Sequence, residues 1–141
     1  MAETIWEKNM KKITLILLLM VSTNVFAEWT KANTNKAAGL TTYVDLQSIR
    51  KKGNKVKMWE LWDFKTIQKS PIGESFLSSA NHKEYDCEEE TSKTLNYTWY
   101  SGNMGKGDSV YSSGNLNREP ESIIPETLDD TSFKAACNIT H

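Results

Sequence analysis

The sequence predicts an α+β fold, in which a meandering antiparallel sheet of about six strands carries one C-terminal helix. Short β-branched and aromatic segments alternate with turn residues from residue 40 to residue 112, a pattern typical of strands joined by hairpins. The C-terminal segment is different, because Pro125, Thr127 and Asp130 mark the start of a short helix. The chain has 141 residues, which leaves room for a single domain.

The N-terminal segment has the pattern of a secretory signal peptide. Lys11 and Lys12 provide a positive region, and the apolar run from Ile13 to Val21 follows them. Val25 and Ala27 then occupy the small-residue positions that precede a cleavage site. A transmembrane helix needs about 20 apolar residues, so this run is too short to be one.

The signal divides the chain into three parts. Residues 1–9 are interpreted as a start-site extension without fold content, because Met10 resembles a natural start. Residues 10–27 form the signal peptide, and residues 28–141 form the single mature domain. The residue after the cut is Glu28 and not cysteine, so we expect no membrane anchor after signal removal. The mature chain is expected to be exported, either to the periplasm or to the medium.

Export changes the interpretation of Cys87 and Cys137. In an oxidising compartment, an even number of distant cysteines most often forms a structural disulfide, and two unpaired buried thiols are the alternative. A bridge between them would stabilise the domain by roughly 4 kcal/mol in the chain-entropy model. It would also tie the C-terminal helix to the strand that ends at Cys87.

The first strand signal of the mature chain is the segment Leu40–Asp45, which is rich in β-branched and aromatic residues. The turn at 51–54 follows it. The next segment has large apolar residues on both of its alternating faces, with Glu60 interrupting one of them, and this predicts a central strand. One face holds Val56, Met58, Trp62 and Phe64, and the other holds Lys57, Trp59, Leu61 and Asp63.

The later elements follow the same logic. Pro71 and Gly73 mark a connection, and a helix from about Thr127 to Asn138 closes the chain. Its apolar side is expected to face the sheet. The remaining strand segments are 76–87, 93–101 and 109–112, with a turn-rich loop at 102–107.

Composition and motifs exclude several function classes. Lys and Arg number 17 and Asp and Glu 18, a formal charge of −1, whereas nucleic-acid binders carry a strongly basic face. His82 is the only internal histidine, and Asp45, Asp63 and Asp86 are interpreted as strand-end residues that bind backbone groups. The sequence has no nucleophile elbow, phosphate loop or metal-spaced cluster of histidine and cysteine. We therefore expect no enzymatic activity, no metal and no cofactor.

Two features are candidates for partner binding. Lys51 and Lys52 belong to a basic cluster around a hairpin turn, which is either an attachment point for an anionic partner or a solvated turn that protects a sheet edge. The mature chain also has more large aromatic residues than a core of its size must hold, namely Trp29, Trp59, Trp62, Trp99, Tyr97, Tyr100 and Tyr111. Trp and Tyr dominate interface anchors, and Trp62, Tyr97 and Trp99 are the candidates here.

Several motifs occur in a specific order. W-x-L-x-D spans Trp59–Asp63, E-Y-D-C spans Glu84–Cys87, and A-C stands at Ala136–Cys137. In this order the mature domain resembles the surface-adhesin protein E family of Gram-negative bacteria. The resemblance implies a sheet with a C-terminal helix tethered by a disulfide. Further segments that carry it are Tyr43–Asp45, Ile49, Ser78–Ser79, Met104–Gly107 and Ile124–Pro125.

The resemblance also implies a function. Family members characterised as adhesins are exposed lipoproteins that bind host extracellular-matrix proteins, whereas Glu28 stands here where a lipoprotein has cysteine. We expect an exported, non-enzymatic binding or adhesion module that engages a host-matrix or envelope protein through its sheet surface. The alternative is a periplasmic envelope accessory protein with a structural or small-ligand role. A homodimer in which basic and acidic patches meet is a further hypothesis.

Overall fold

The computed structural model describes residues 4–19 and 27–139. Its first element is the helix α1, Ile5–Leu19. The exit region of the expected signal peptide, which includes Val25, lies outside the described residues, so the signal and its cleavage stay a prediction. Within the described ranges, no helix is both long enough and apolar enough to cross a membrane.

The described residues 27–139 are built on one antiparallel sheet of seven strands. Six of them follow one another in sequence order across the sheet, from β1 to β6, and β7 pairs with the start of β5. This meander agrees with the predicted fold class. The strands are β1 Thr30–Asn35, β2 Leu40–Lys52, β3 Lys55–Lys69, β4 Ser75–Asp86, β5 Thr91–Tyr100, β6 Ser109–Ser112 and β7 Glu121–Ser122.

Strand β3 is central, as its two apolar faces predicted. It pairs with β2 on one side and β4 on the other. Gly53 and Asn54 make the tight turn between β2 and β3, and Gly53 has a positive φ of 60°, a conformation that glycine adopts at little cost.

Two strands lack a clear sequence signal. Strand β1 precedes Leu40–Asp45, the segment expected to be the first strand, and its polar sequence has no alternation of apolar residues. It forms because β2 offers it a ladder of backbone groups. Strand β7 has two residues. It belongs to a segment that runs along the outer edge of β5, where Ser113 N and Leu116 N donate to backbone oxygens of β5.

The main core lies between the sheet and the helix α2, Leu128–Cys137. The helix covers the end of the sheet where β2, β3 and β4 contribute their most buried apolar side chains. The core cluster consists of Val44, Val56, Met58, Tyr85, Phe133 and Ala136, all less than 9% exposed.

Helix α2 begins and ends as its sequence predicts. The Thr127 side chain accepts a hydrogen bond from Asp130 N at 3.2 Å, and Asn138 ends the helix in the left-handed conformation. The disulfide between Cys87 and Cys137 is confirmed, and it joins the last turn of α2 to the end of β4.

On the opposite face of the sheet, a short loop replaces the helix. A single turn at Asn103–Gly105 lies over Leu61, which is fully buried. Asp63 Oδ1 accepts hydrogen bonds from Met104 N at 2.7 Å and Asn103 Nδ2 at 3.0 Å, while Ser78 Oγ accepts from Gly105 N. This contact gives the W-x-L-x-D motif a structural role, because its aspartate fastens the loop that buries its leucine.

Candidate binding site

The helix covers only one end of its face of the sheet, and a groove lies at the other end. Side chains alternate between the two faces along β3, so Val56, Glu60 and Trp62 all point to the helix side. Helix α2 packs on the end near Val56, whereas Trp62 lies half-buried in the groove, which has a volume of about 320 Å³. Five aromatic residues line it: Trp62, Phe64, Phe76, Tyr97 and Trp99.

Most of these rings, together with Tyr111 of β6, form a connected stack across the strands. The rings of Phe76 and Trp99 lie parallel with their centroids 4.7 Å apart, and Trp99 contacts Tyr111 at 4.8 Å. Tyr97 and Phe64 extend the stack on either side. Aromatic pairs of this kind contribute about 0.5–1.5 kcal/mol beyond area burial. The stack therefore presents rigid rings that lose little conformational entropy when a partner binds.

The polar groups of the groove satisfy one another or stand at its rim. Ser79 Oγ donates to Asn81 Oδ1 at 3.0 Å, and Asn81 Nδ2 donates to the Ser79 carbonyl oxygen at 3.1 Å. Arg118 contributes an exposed guanidinium to the lining. The groove is thus a mainly apolar surface with one cation, which suits packing against apolar side chains of a partner.

A buried carboxyl group holds Trp62 in place. Trp62 Nε1 donates to Glu60 Oε2 at 3.2 Å, and the Tyr85 hydroxyl donates to the other carboxylate oxygen. Glu60 is only 1% exposed. Burial raises the pKa of Glu60 to about 7; the charge of Asp129 adds to this rise, and that of Lys83 opposes it.

An ion pair next to Glu60 joins the first turn of α2 to the sheet. The Lys83 ammonium group contacts Asp129 Oδ1, and Ser92 Oγ donates to Asp129 Oδ2 at 2.6 Å. Lys83 is 6% exposed. Glu60, Lys83 and Asp129 therefore form a polar cluster under the helix N-terminus, beside the aromatic groove.

The structure gathers three of the predicted binding residues and separates the other two. Trp62, Tyr97 and Trp99 line one groove. Lys51 and Lys52 lie at the β2–β3 hairpin, where they line a different depression. A contact that uses the aromatic residues and the basic hairpin together stays a prediction.

Sequence reasoning did not single out Phe64, Phe76 and Arg118 as binding residues. Phe64 shares the face of Trp62 by simple alternation along β3. Phe76 joins the groove only because a register irregularity between β3 and β4 follows Asp63. Arg118 comes from the irregular segment at the edge of β5, for which the sequence gives no placement.

The residues considered for catalysis have structural contacts. The His82 ring stacks on Trp59 with centroids 4.6 Å apart, and burial together with the charge of Lys57 lowers the pKa of His82. Asp45 Oδ1 accepts a hydrogen bond from Gln47 N within β2, and Asp86 Oδ1 accepts from backbone N–H groups of the turn that follows β4. Among the residues that the structure describes, no group of three or more His, Cys, Asp or Glu is arranged to hold a metal ion.

Comparison with known proteins gives a consistent result. The sequence matches the family Surface-adhesin protein E over residues 29–138. No curated protein sequence matches the chain. The fold is similar to a structure of Haemophilus influenzae protein E, with 15% identity, 82% of this chain and 88% of that chain covered, and a TM-score of 0.57. Crystal form II of that protein gives 15% identity, coverage of 82% and 91%, and a TM-score of 0.58. Since the family match spans well over half of the chain, the chain belongs to the surface-adhesin protein E family.

Proposed function

We propose that this protein is an exported, non-enzymatic binding module that engages a protein partner through the aromatic groove. The observation that carries the proposal is the half-exposed stack of rings at the end of the sheet that α2 leaves open. Large aromatic side chains in a preformed depression are the usual energetic anchors of protein interfaces. Family membership supports an adhesin-type role.

The groove favours a partner that inserts apolar side chains between its walls. Its rings are held by stacking, and Trp62 is oriented by Glu60, so the surface is organised before binding. Preorganisation lowers the entropic cost of association. We infer that the partner belongs to the host extracellular matrix, the class implied by adhesins of this family.

The test measures binding of the full chain to immobilised basement-membrane matrix. Trp99→Ala removes the central ring of the stack, and we expect it to weaken binding by at least about 2 kcal/mol, or roughly 30-fold. Trp59→Ala is the matched control, because Trp59 is a half-buried tryptophan on the opposite face. It is expected to leave binding within about twofold of the wild type.

Unfolding curves show first that each variant is folded, and Trp62→Phe provides a milder change in the same groove. If the folded variants Trp99→Ala and Trp62→Phe bind as tightly as the wild type, the groove is not the binding surface. Localisation is tested separately, since protease access on whole cells indicates display and release by osmotic shock indicates a periplasmic accessory protein.

A further inference from the structure

The face of the sheet opposite α2 carries a cluster of cations at the β2–β3 hairpin. The register places Arg50 beside Lys57 and Lys52 beside Lys55, and all four are exposed. Like charges directly opposite each other in an antiparallel pair destabilise a sheet. Two such pairs in one hairpin oppose its folding stability, a cost that an anionic partner bound to the four cations would offset.

Few carboxylates offset this charge. Glu84 of β4 lies beside Lys57, and its Oε1 atom is 3.8 Å from Lys55 Nζ and 3.5 Å from Lys93 Nζ. Asp86 lies beside Lys55, but its carboxylate accepts N–H groups of the following turn. That turn contains Glu88–Glu90, and Glu88 accepts a hydrogen bond from Asn54. Around the hairpin, the cations on this face are Arg50, Lys52, Lys55, Lys57 and Lys93, and the carboxylates are Asp45, Glu84 and Asp86.

Four of these cations line an open depression of about 560 Å³, together with Lys51 and Glu84; the four are Arg50, Lys52, Lys55 and Lys57. Strand geometry spreads them, because neighbouring strands are about 4.8 Å apart and same-face residues about 7 Å apart along a strand. A single small ion needs donors that converge on one point. An array of separated cations instead matches a chain that carries repeated anionic groups.

We propose that this face binds a linear sulfated polysaccharide. The site is separate from the aromatic groove and goes beyond the protein contact proposed for it. Membrane lipid is a poorer match, because none of the large apolar side chains exposed among the described residues belongs to the hairpin at 50–57. Single-stranded nucleic acid is a poorer match too, since it needs open aromatic rings for its bases, whereas Trp59 and His82, the rings beside Lys57 on this face, are half-buried and stack on each other.

The test titrates the full chain with a fluorescent heparin oligosaccharide at two salt concentrations. The triple variant Lys52→Gln, Lys55→Gln and Lys57→Gln should lose about 10-fold or more in affinity and show a weaker dependence on salt. The matched control makes the same charge change at exposed lysines elsewhere, with Lys36→Gln, Lys69→Gln and Lys106→Gln. It should stay within about twofold of the wild type, because distant surface charges are screened.

Thermal unfolding checks that both triple variants are folded. If the hairpin triple variant is not folded, the double variant Lys52→Gln and Lys55→Gln replaces it. Trp99→Ala should bind heparin like the wild type, which separates this site from the groove. Equal losses in the hairpin and control variants would overturn the proposal, because binding would then follow net charge alone. It is also overturned if a single-stranded oligonucleotide or phosphatidylglycerol vesicles bind more tightly than heparin, or if heparin does not bind at low salt.

Discussion

Glu60 is a carboxyl group at the centre of an otherwise apolar strand face. It is tolerated there because Trp62 and Tyr85 each donate a hydrogen bond to it, so both carboxylate oxygens have partners. Burial also favours the protonated, neutral form of the Glu60 carboxyl group over the charged form. Glu60 therefore links the packing under α2 to the orientation of a groove residue.

This environment predicts a pH-dependent stability. Folded Glu60 holds its proton up to a pKa of about 7, against 4.5 for an ordinary glutamate. The native state thus binds more protons than the unfolded state between these values, and the free energy of unfolding falls as the pH rises from 4.5 to about 7. The fall should amount to about 3 kcal/mol, and Glu60→Gln should remove it, as measured by urea unfolding across this range.

Glu119→Gln is the control for this experiment, because it makes the same substitution at an exposed glutamate. The lowered pKa of His82 gives a contribution of opposite sign, which rises with pH. The wild type and both variants share this contribution, so it cancels in their differences. Parallel curves for Glu60→Gln and the wild type would contradict the expectation.

Thr42 is fully buried on β2. Its Oγ1 atom has no hydrogen-bond partner among the described residues. Thr42→Val keeps the shape and removes the unpaired hydroxyl, so we expect the free energy of unfolding to increase by about 1 kcal/mol. Thr41→Val is the comparison, because the Thr41 hydroxyl shares a hydrogen bond with Thr34 Oγ1. A loss of stability in Thr42→Val, or an equal gain in Thr41→Val, would show that the hydroxyl is not a liability.

The loop at 102–107 covers part of one face of the sheet, as α2 covers part of the other. It lies over Leu61 on the face opposite α2 and is held by side chains of β3 and β4. The loop closes on itself where Gly102 N donates to the Lys106 carbonyl oxygen at 3.0 Å. This tight closure leaves little space at Gly107.

Gly107→Ala should therefore destabilise the domain more than Gly114→Ala. Both glycines have a positive φ, so both substitutions strain the backbone. At Gly107 the added Cβ would also lie 2.4 Å from Ser101 Oγ and 3.1 Å from Gly102 N, whereas at Gly114 it meets nothing within 4 Å. We expect an additional loss of about 1–3 kcal/mol at Gly107 in chemical unfolding. Equal losses at both sites would mean that the loop adjusts freely.

At the scale of the whole molecule, the sheet separates two surfaces of different chemistry. One face holds α2 and the aromatic groove, and the other holds the 102–107 loop and the basic hairpin. The net charge of −1 conceals this difference, because acidic residues elsewhere balance the hairpin. Both proposed sites therefore lie on one small domain without sharing a residue.

The N-terminus of the exported protein tests the predicted signal peptide. We expect the mature chain to begin at Glu28, because Val25 and Ala27 satisfy the small-residue rule for cleavage. N-terminal sequencing of the protein from the cell envelope or medium measures this directly. A chain that keeps the apolar run from Ile13 to Val21 would remove the basis for export. A cut within a few residues of Ala27 would still agree with it.

The fold class, the central strand, the helix and the disulfide could all be predicted from the sequence. Each depends on local signals: alternation around Glu60, the cap formed by Thr127, and an even cysteine count in an exported chain. These signals can be recognised without tertiary information because they depend on a few neighbouring residues or on the number of cysteines.

Which side chains contact each other could not be predicted and depends on the tertiary structure. The register of β3 on β4 brings Phe76 into the groove, and the edge segment brings Arg118, although neither position has a local signal. Likewise, the polar strand β1 exists because β2 supplies its partner groups. Strand register, the pairing of edge strands and the part of the sheet that α2 covers are set by contacts between residues far apart in the chain. The residue types and spacing of a local segment do not encode such contacts.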